Sequence, residues 1–402
     1  MSVTTEAVDD RRAKANVFRL AAAQALAGAN ASVVVATGAI IGSSLSSDPA
    51  LATLPISVFV VGMALGTLPA GWLARRFGRR VAFITGGACG VAAGLFGALA
   101  LLGQSFAGYC VATMFAGFYA AVVLSFRFAA ADGASAAFRP KALSWVMAGG
   151  VFAGVLGPQL VTVTMDMWSP NLFVVSYLAQ AVVALVAIGV LSGVDLPRPA
   201  PADLARGRPL LTIVRQPRFI VAVICGVTSY TLMNLVMTSA PLAMRLCGLP
   251  ISASNWAIQW HILAMYGPSF FTGSLIARFG APRVVAAGLA LTGMAAVTGL
   301  SGITAWHFSA GLVLLGLGWN FGFVGASAMV LETHRPEEKN KVQSFNDFLV
   351  FGTMAAGSFW SGHLLVTLGW AAVNWVVFPP VLLAMLVLAG SAVAMRQRVT
   401  VT

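Results

Sequence analysis

Charge is what this 402-residue sequence lacks most: Asp, Glu, Lys and Arg together make up 9% of it, and only 12 residues are acidic. A soluble domain carries roughly a quarter charged residues, so this chain cannot cover a water-facing surface. Cysteine is also scarce. Cys89, Cys110, Cys225 and Cys247 stand singly in apolar segments, which excludes a disulfide framework and a Cys-based zinc site. The 4 histidines are scattered, so no metal site or clustered catalytic constellation is expected, and the chain does not read as an enzyme. A Walker loop is absent, which removes an ATP-driven pump, and no cofactor is implied.

Apolar residues fill the space that charge leaves. They form 59% of the sequence, and mean hydropathy is +0.88. Runs long enough to cross a bilayer fall near residues 18–43, 51–74, 81–102, 106–131, 141–165, 171–194, 219–244, 253–277, 284–303, 308–331, 342–366 and 371–395. The first is longer than a signal peptide's apolar core and has no small-residue cleavage site, so it reads as a retained helix.

The net charge of +12 does not mark nucleic-acid binding, because the basic residues sit in clusters between spans. Arg11, Arg12, Lys14 and Arg19 precede the first span, Arg75, Arg76, Arg79 and Arg80 follow the second, and Arg278 and Arg283 follow the eighth. Arg335, Lys339 and Lys341 follow the tenth, and Arg396 and Arg398 close the chain. Gaps after odd spans hold only Arg245, so both termini are expected in the cytoplasm of a bacterial inner membrane. The organisation predicted is a cytoplasmic tail over 1–17, a six-helix bundle over 18–194 and a Pro- and Arg-rich linker over 195–217. A second bundle over 218–395 and a tail over 396–402 follow. An internal repeat supports two related halves: Gly71, Leu73, Arg76, Phe77 and Gly78 recur as Gly273, Leu275, Arg278, Phe279 and Gly280 at an offset of 202.

The segment GWLARRFGRR, from Gly71 to Arg80, resembles the signature loop between the second and third helices of the major facilitator superfamily. With the spans, linker and repeat, the resemblance covers essentially the whole chain. It implies an all-α membrane fold of twelve helices in two pseudo-symmetric six-helix bundles, working as a monomer by alternating access. Gly71 and Gly78 allow close helix approach and a tight turn, while Arg76 and its neighbours hold the loop cytoplasmic. One position departs from the family's pattern: its acid, which braces the gate, is Arg75 here, so the brace is expected to run from Arg75 to Asp132 at the end of the fourth span, or not to be made at all. GGVFAGVLGPQL (149–160) matches only part of the glycine- and proline-rich antiporter motif, lacking its closing glycine pair. The stretches 260–280 and 316–352 resemble a bacterial branch of the superfamily that includes riboflavin importers.

The resemblance places the first, second, fourth and fifth helices of each half around a central cavity. Polar and aromatic residues concentrate there: Asn30, Tyr119, Tyr230, Asn234, Gln259, Trp260, Trp319, Asn320 and Phe323 are the candidate solute contacts. Aromatic faces beside neutral amides suit a planar, hydrogen-bonding organic solute. Arg127 lies alone inside a span and Asp347 is the carboxylate placed clearly within one; with Asp132 and His261 they are the candidates for gating or proton coupling. An Arg127–Asp347 or Arg127–Glu332 pair across the cytoplasmic gate is the structural alternative to a coupling role. The function expected is proton-coupled secondary transport of a vitamin-like aromatic solute across the lipid bilayer. Drug efflux and a non-transporting receptor are the competing readings.

Overall fold

The computed structural model describes residues 10–48, 51–196 and 207–400, and among these every regular element is helical. Six helices form the first bundle: α1 (Asp10–Leu45), α2 (Leu54–Phe77), α3 (Arg79–Leu102), α4 (Phe106–Leu124, continued by Phe126–Asp132), α5 (Arg139–Thr164) and α6 (Val174–Ser192). The second bundle comprises α7 (Pro217–Leu246), α8 (Ile251–Tyr266 and Ser269–Phe279), α9 (Ala281–Ser301), α10 (Ala305–Trp319 through Gly325–Leu331), α11 (339–368, the part of Lys339–Trp375 before Gly369) and α12 (370–375 continued by Phe378–Thr400). Gly369, at φ 81°, turns the chain between α11 and α12. Helix α1 starts at Asp10, so part of the expected N-terminal tail is helical. Residues 197–206, the middle of the expected linker, lie outside the described residues.

Ten helices among the described residues are long and apolar enough to cross a bilayer. Two spans depart from that simple form. Helix α8 breaks at Gly267-Pro268, where proline offers no N–H to the turn before it. Helix α11 opens with Lys339, Asn340, Lys341, Gln343, Ser344, Asn346 and Asp347, side chains that need partners inside the protein.

The halves repeat the same pairings. In the first, α1 packs on α5, α2 on α4, and α3 on both α4 and α6; in the second, α7 packs on α11, α8 on α10, and α9 on both α10 and α12. The sequence repeat is also a backbone repeat: Gly78 and Gly280 take φ/ψ of 92°/158° and 83°/148°. Glycine is needed at this corner because a Cβ disfavours positive φ.

Two seams join the halves, α2 against α11 and α5 against α8. Each closes over a glycine of the repeat. A Cβ on Gly71 would sit 1.8 Å from Ser344 Oγ, and one on Gly273 would sit 2.5 Å from the Pro140 carbonyl oxygen. A further tie lies at the same end. Glu338 accepts hydrogen bonds from the Arg208 backbone N–H (2.9 Å), Nε (2.8 Å) and Nη2 (2.7 Å), and from the Arg335 N–H at 3.0 Å. These bonds, Arg208's foremost, hold the Glu338 carboxyl at about 2, below its ordinary 4.5.

A depressed folded-state pKa gives stability that is complete above the unfolded value and is lost as pH falls. Wild-type thermal stability in detergent is therefore expected to drop between about pH 4.5 and about 2 partly through this group. Glu338→Gln should be less stable at neutral pH and show a shallower drop over that window, read by intrinsic fluorescence melts.

Candidate functional site

The arginine-rich ends of the helices meet in a buried ionic network drawn from both halves. Arg127, on the last turns of α4, is 0% exposed. Its Nη2 donates to Asp347 Oδ1 of α11 at 2.5 Å and its Nε to Ser327 Oγ of α10 at 3.1 Å, while Nη1 bonds the Leu124 carbonyl. The guanidinium also lies 4.3 Å from the Phe128 ring centre and 4.7 Å from that of Phe323. Asp347 gains a second donor, Asn346 Nδ2, at 3.0 Å. Beside this pair Asp132 accepts from Arg79 Nε at 2.5 Å and contacts Lys339 Nζ of α11 at 3.0 Å, and Arg79 Nη2 donates to Gln343 at 2.5 Å.

The pairs cross the interface in opposite senses. A first-half cation meets a second-half carboxylate at Arg127–Asp347, and the reverse holds at Asp132–Lys339. Coulomb attraction is strong in such a dry setting, but so is the cost of desolvation, so the pairs hold the halves together only while both partners are present. The partners that Asp132 shows are Arg79, on the first turn of α3, and Lys339 of α11, where the sequence pointed to Arg75. Arg75 lies half-buried near the end of α2, and Arg76 lies exposed in its last turn, where a cation suits the helix dipole. Arg127 pairs with Asp347 and not with Glu332, which is exposed. A cavity of about 20 Å³ lies at the seam among Thr67, Gly71, Ser125, Gln343, Ser344 and Asp347, room for a water molecule.

Directly against the network stands an aromatic cluster. Tyr230 of α7 meets Trp319, Phe323 and Phe351 edge-on, with ring centres at 5.6, 4.9 and 5.2 Å. Trp319 stacks on Phe323 at 5.3 Å and takes Tyr266 of α8 at 5.5 Å. Phe323 belongs to both groups, since the other side of its contact is Arg127. Tyr266 also closes against Gly150 of α5, where a Cβ would sit 2.3 Å from its ring, so the cluster reaches the first half. A π-helical turn over Asn320–Val324 interrupts α10 here; such turns insert one extra residue and re-aim the side chains around them. Of these residues the sequence pointed to Tyr230, Trp319 and Phe323. It missed Tyr266 and Phe351, whose signals are Tyr266's place before the Gly-Pro break and Phe351's place one turn beyond Asp347.

Among the described residues, buried polar atoms without a partner include Trp319 Nε1 in the cluster itself, Asn234 Nδ2 one turn from Tyr230 on α7, and both side-chain polar atoms of Asn30 on α1. Unpaired groups of this kind are costly to bury, and a hydrogen-bonding solute is one way to satisfy them.

The remaining candidates have surroundings of their own. Asn320, expected at the pocket's centre, spends its amide inside the second half: Nδ2 donates to the Met265 carbonyl and Ser269 Oγ, each at 2.6 Å, and Oδ1 accepts from Thr272 at 2.6 Å. The break at Pro268 creates this demand for a bracket across α8. Tyr119 turns away toward α3, packed where Gly90 lacks a side chain. His261 faces α10, its Nδ1 at 2.7 Å from the Leu312 carbonyl oxygen. Gln259 and Trp260 lie on an exposed face of α8, Trp260 at 54%, and the structure does not bring them to the cluster.

A sequence profile of the Major Facilitator Superfamily matches residues 20–259 and again 222–398. The chain is 47% identical over 380 residues to the riboflavin transporter RfnT of Brucella anthropi, spanning 94% of this chain and 96% of that one. It is 29% identical to an uncharacterized MFS-type transporter of Bacillus subtilis, YdeG, across 90% and 88% of the two chains. Among solved structures, the proton:xylose symporter XylE superposes with a TM-score of 0.78 at 12% identity, covering 94% of this chain and 95% of that one. The human organic anion transporter MFSD10 gives 0.76 at 16% identity, covering 94% and 99%.

Removing one member of a buried ion pair strands the other. Asp347→Leu is expected to destabilise the protein by about 3–5 kcal/mol, and Arg127→Leu with Asp347→Leu together by far less than the sum of the two single changes. Thermal unfolding of the four proteins in one detergent reads this as a double-mutant cycle.

Proposed function

We propose that this chain, which belongs to the Major Facilitator Superfamily and is a secondary transporter, carries riboflavin or a closely similar planar aromatic vitamin into the bacterial cell. The observation that carries the solute assignment is the aromatic cluster of Tyr230, Trp319, Phe323, Tyr266 and Phe351 beside the unpartnered donors of Trp319 and Asn234. Flat faces recognise a flat ring system, and a few fixed donors and amides recognise its polar edge. Likeness to a riboflavin transporter along nearly the full length of both chains supports the same reading.

The clustering of Arg and Lys supports a cytoplasmic location for the ionic network and both termini in an inner membrane. In that orientation the network is the cytoplasmic gate and the aromatic cluster lies on its cavity side. The working unit is a single chain, since both seams are internal to it. Transport is coupled to protons through Asp347, the carboxylate whose charge holds Arg127 in place. A proton on Asp347 cancels that charge and leaves a buried guanidinium without its counter-ion, which favours opening of the pair.

The test is uptake of radiolabelled riboflavin by cells that have no other importer. Saturable uptake is expected, inhibited by excess unlabelled vitamin and lowered when the proton gradient is collapsed. Trp319→Ala and Tyr230→Ala should each reduce it roughly tenfold or more, the scale of losing a stacked aromatic contact. Riboflavin neither taken up nor bound, with the protein correctly inserted, would overturn the solute assignment.

A further inference from the structure

The ionic network is not the only bond across the seam. Ser144, on the second turn of α5, sends its side chain into the backbone of α8 beyond the break. Its hydroxyl donates to the Ser269 carbonyl at 2.5 Å and accepts from the Gly273 N–H at 3.0 Å. Ser144 and Ser269 are 0% exposed. The neighbouring α5 backbone, Pro140 and Lys141, fills the space above Gly273, so the hydroxyl reaches the helix because that residue has no side chain.

The choice of backbone groups matters. Ser269 and Gly273 stand four residues apart, so in a regular α-helical turn the Gly273 N–H and the Ser269 carbonyl are each other's partners. The serine hydroxyl straddles that natural pair. When α5 withdraws, neither group need be orphaned, since the two can bond each other within the turn. Ser144 is not orphaned either, because a helical serine can return its hydroxyl to the carbonyl four residues earlier, here Pro140. Most buried polar contacts are expensive to part because they leave an unpaired donor or acceptor in a dry interior. This one is not.

The same turn of α8 is held on its other side by Asn320, through Met265, Ser269 and Thr272. Asn320 adjoins Trp319, and Tyr266 adjoins the break, so the turn that Ser144 clasps is the one from which the aromatic cluster is mounted.

We propose that Ser144 is a positioning residue of the transport cycle, a reversible clasp that favours the closed state of the α5–α8 seam and releases without leaving a buried polar group unpaired. It acts through α8 and does not touch the solute. Its loss shifts the balance between seam-closed and seam-open forms, whatever the solute proves to be.

The experiment places spin labels at Ala137→Cys and Arg283→Cys, both exposed at this end of α5 and α8–α9, in the full chain with its native cysteines replaced. The distance distribution is measured in lipid nanodiscs with no solute added. Ser144→Ala is expected to raise the ratio of long to short distances roughly three- to tenfold, the scale of an interhelical hydrogen bond in a membrane protein. Ser144→Thr, which keeps the hydroxyl, should restore the wild-type ratio. Thermal melts of all three proteins separate this from unfolding: the clasp requires Ser144→Ala to remain folded with a melting temperature near wild type. An unchanged distance ratio in a folded Ser144→Ala protein overturns the proposal. So does a large loss of thermal stability in Ser144→Ala, which would mark the bond as structural. Because no solute is present, failure here is distinguishable from failure of the riboflavin assignment.

Discussion

A guanidinium cannot shed its charge, so an arginine buried at the meeting of two helical bundles must find its counter-charge in the protein. For Arg127 that counter-charge is on the other bundle. The surrounding arrangement follows from this requirement. Helix α11 must begin polar in order to bring Asp347, Lys339 and Gln343 to the interface, and α3 must begin immediately after α2 for Arg79 to reach Asp132. Gly78 provides that sharp corner, and Gly71 lets α11 come close enough for the pairs to form. The network is therefore adhesive on one condition, that each charge keeps its counter-charge across the interface.

The aromatic cluster shares Phe323 with that network. A ring that carries a cation on one face and packs among aromatics elsewhere couples two sites by contact. A movement of α10 that changes the packing of Trp319 on Phe323 also changes the cushion beneath Arg127. The π-helical turn lies at this junction, and extra backbone there allows α10 to adjust locally without shifting along its whole length.

Much of the architecture was legible in the sequence because lipid imposes simple rules. Apolar length, the sidedness of arginine and the repeat around Gly71 and Gly273 each carry their meaning locally. The candidate site, as a cluster of packed side chains, was legible only in part. Tyr230, Trp319 and Phe323 could be read from aromatic residues at mid-span, and the Arg127–Asp347 pair from a lone cation and a lone carboxylate. Asn320 was read as a pocket residue because a buried amide near the midplane is costly without a partner. Its partners are residues 265, 269 and 272, and the need for them arises at Pro268, about fifty residues away in the chain. The packing of Tyr119 on α3 and of His261 on α10 was not legible for a related reason: a helical residue can face its own bundle as easily as the cavity, and weak amphipathicity in an apolar helix does not say which. That Asp132 meets Arg79 and Lys339 depends on where the helix ends sit, a matter of ångströms that composition does not encode.

The two repeat glycines mark equivalent places in the two seams, yet what fills the gap differs. Over Gly71 sits a serine side chain, Ser344, and over Gly273 sits main chain, Pro140 and Lys141. The Ser344 hydroxyl can turn to another rotamer, but its Cβ, 2.4 Å from the same point, is fixed to α11 and moves only with that helix. Neither seam therefore has slack to absorb a displacement: a movement of α2 or of α5 is handed to the facing helix as rigid-body motion.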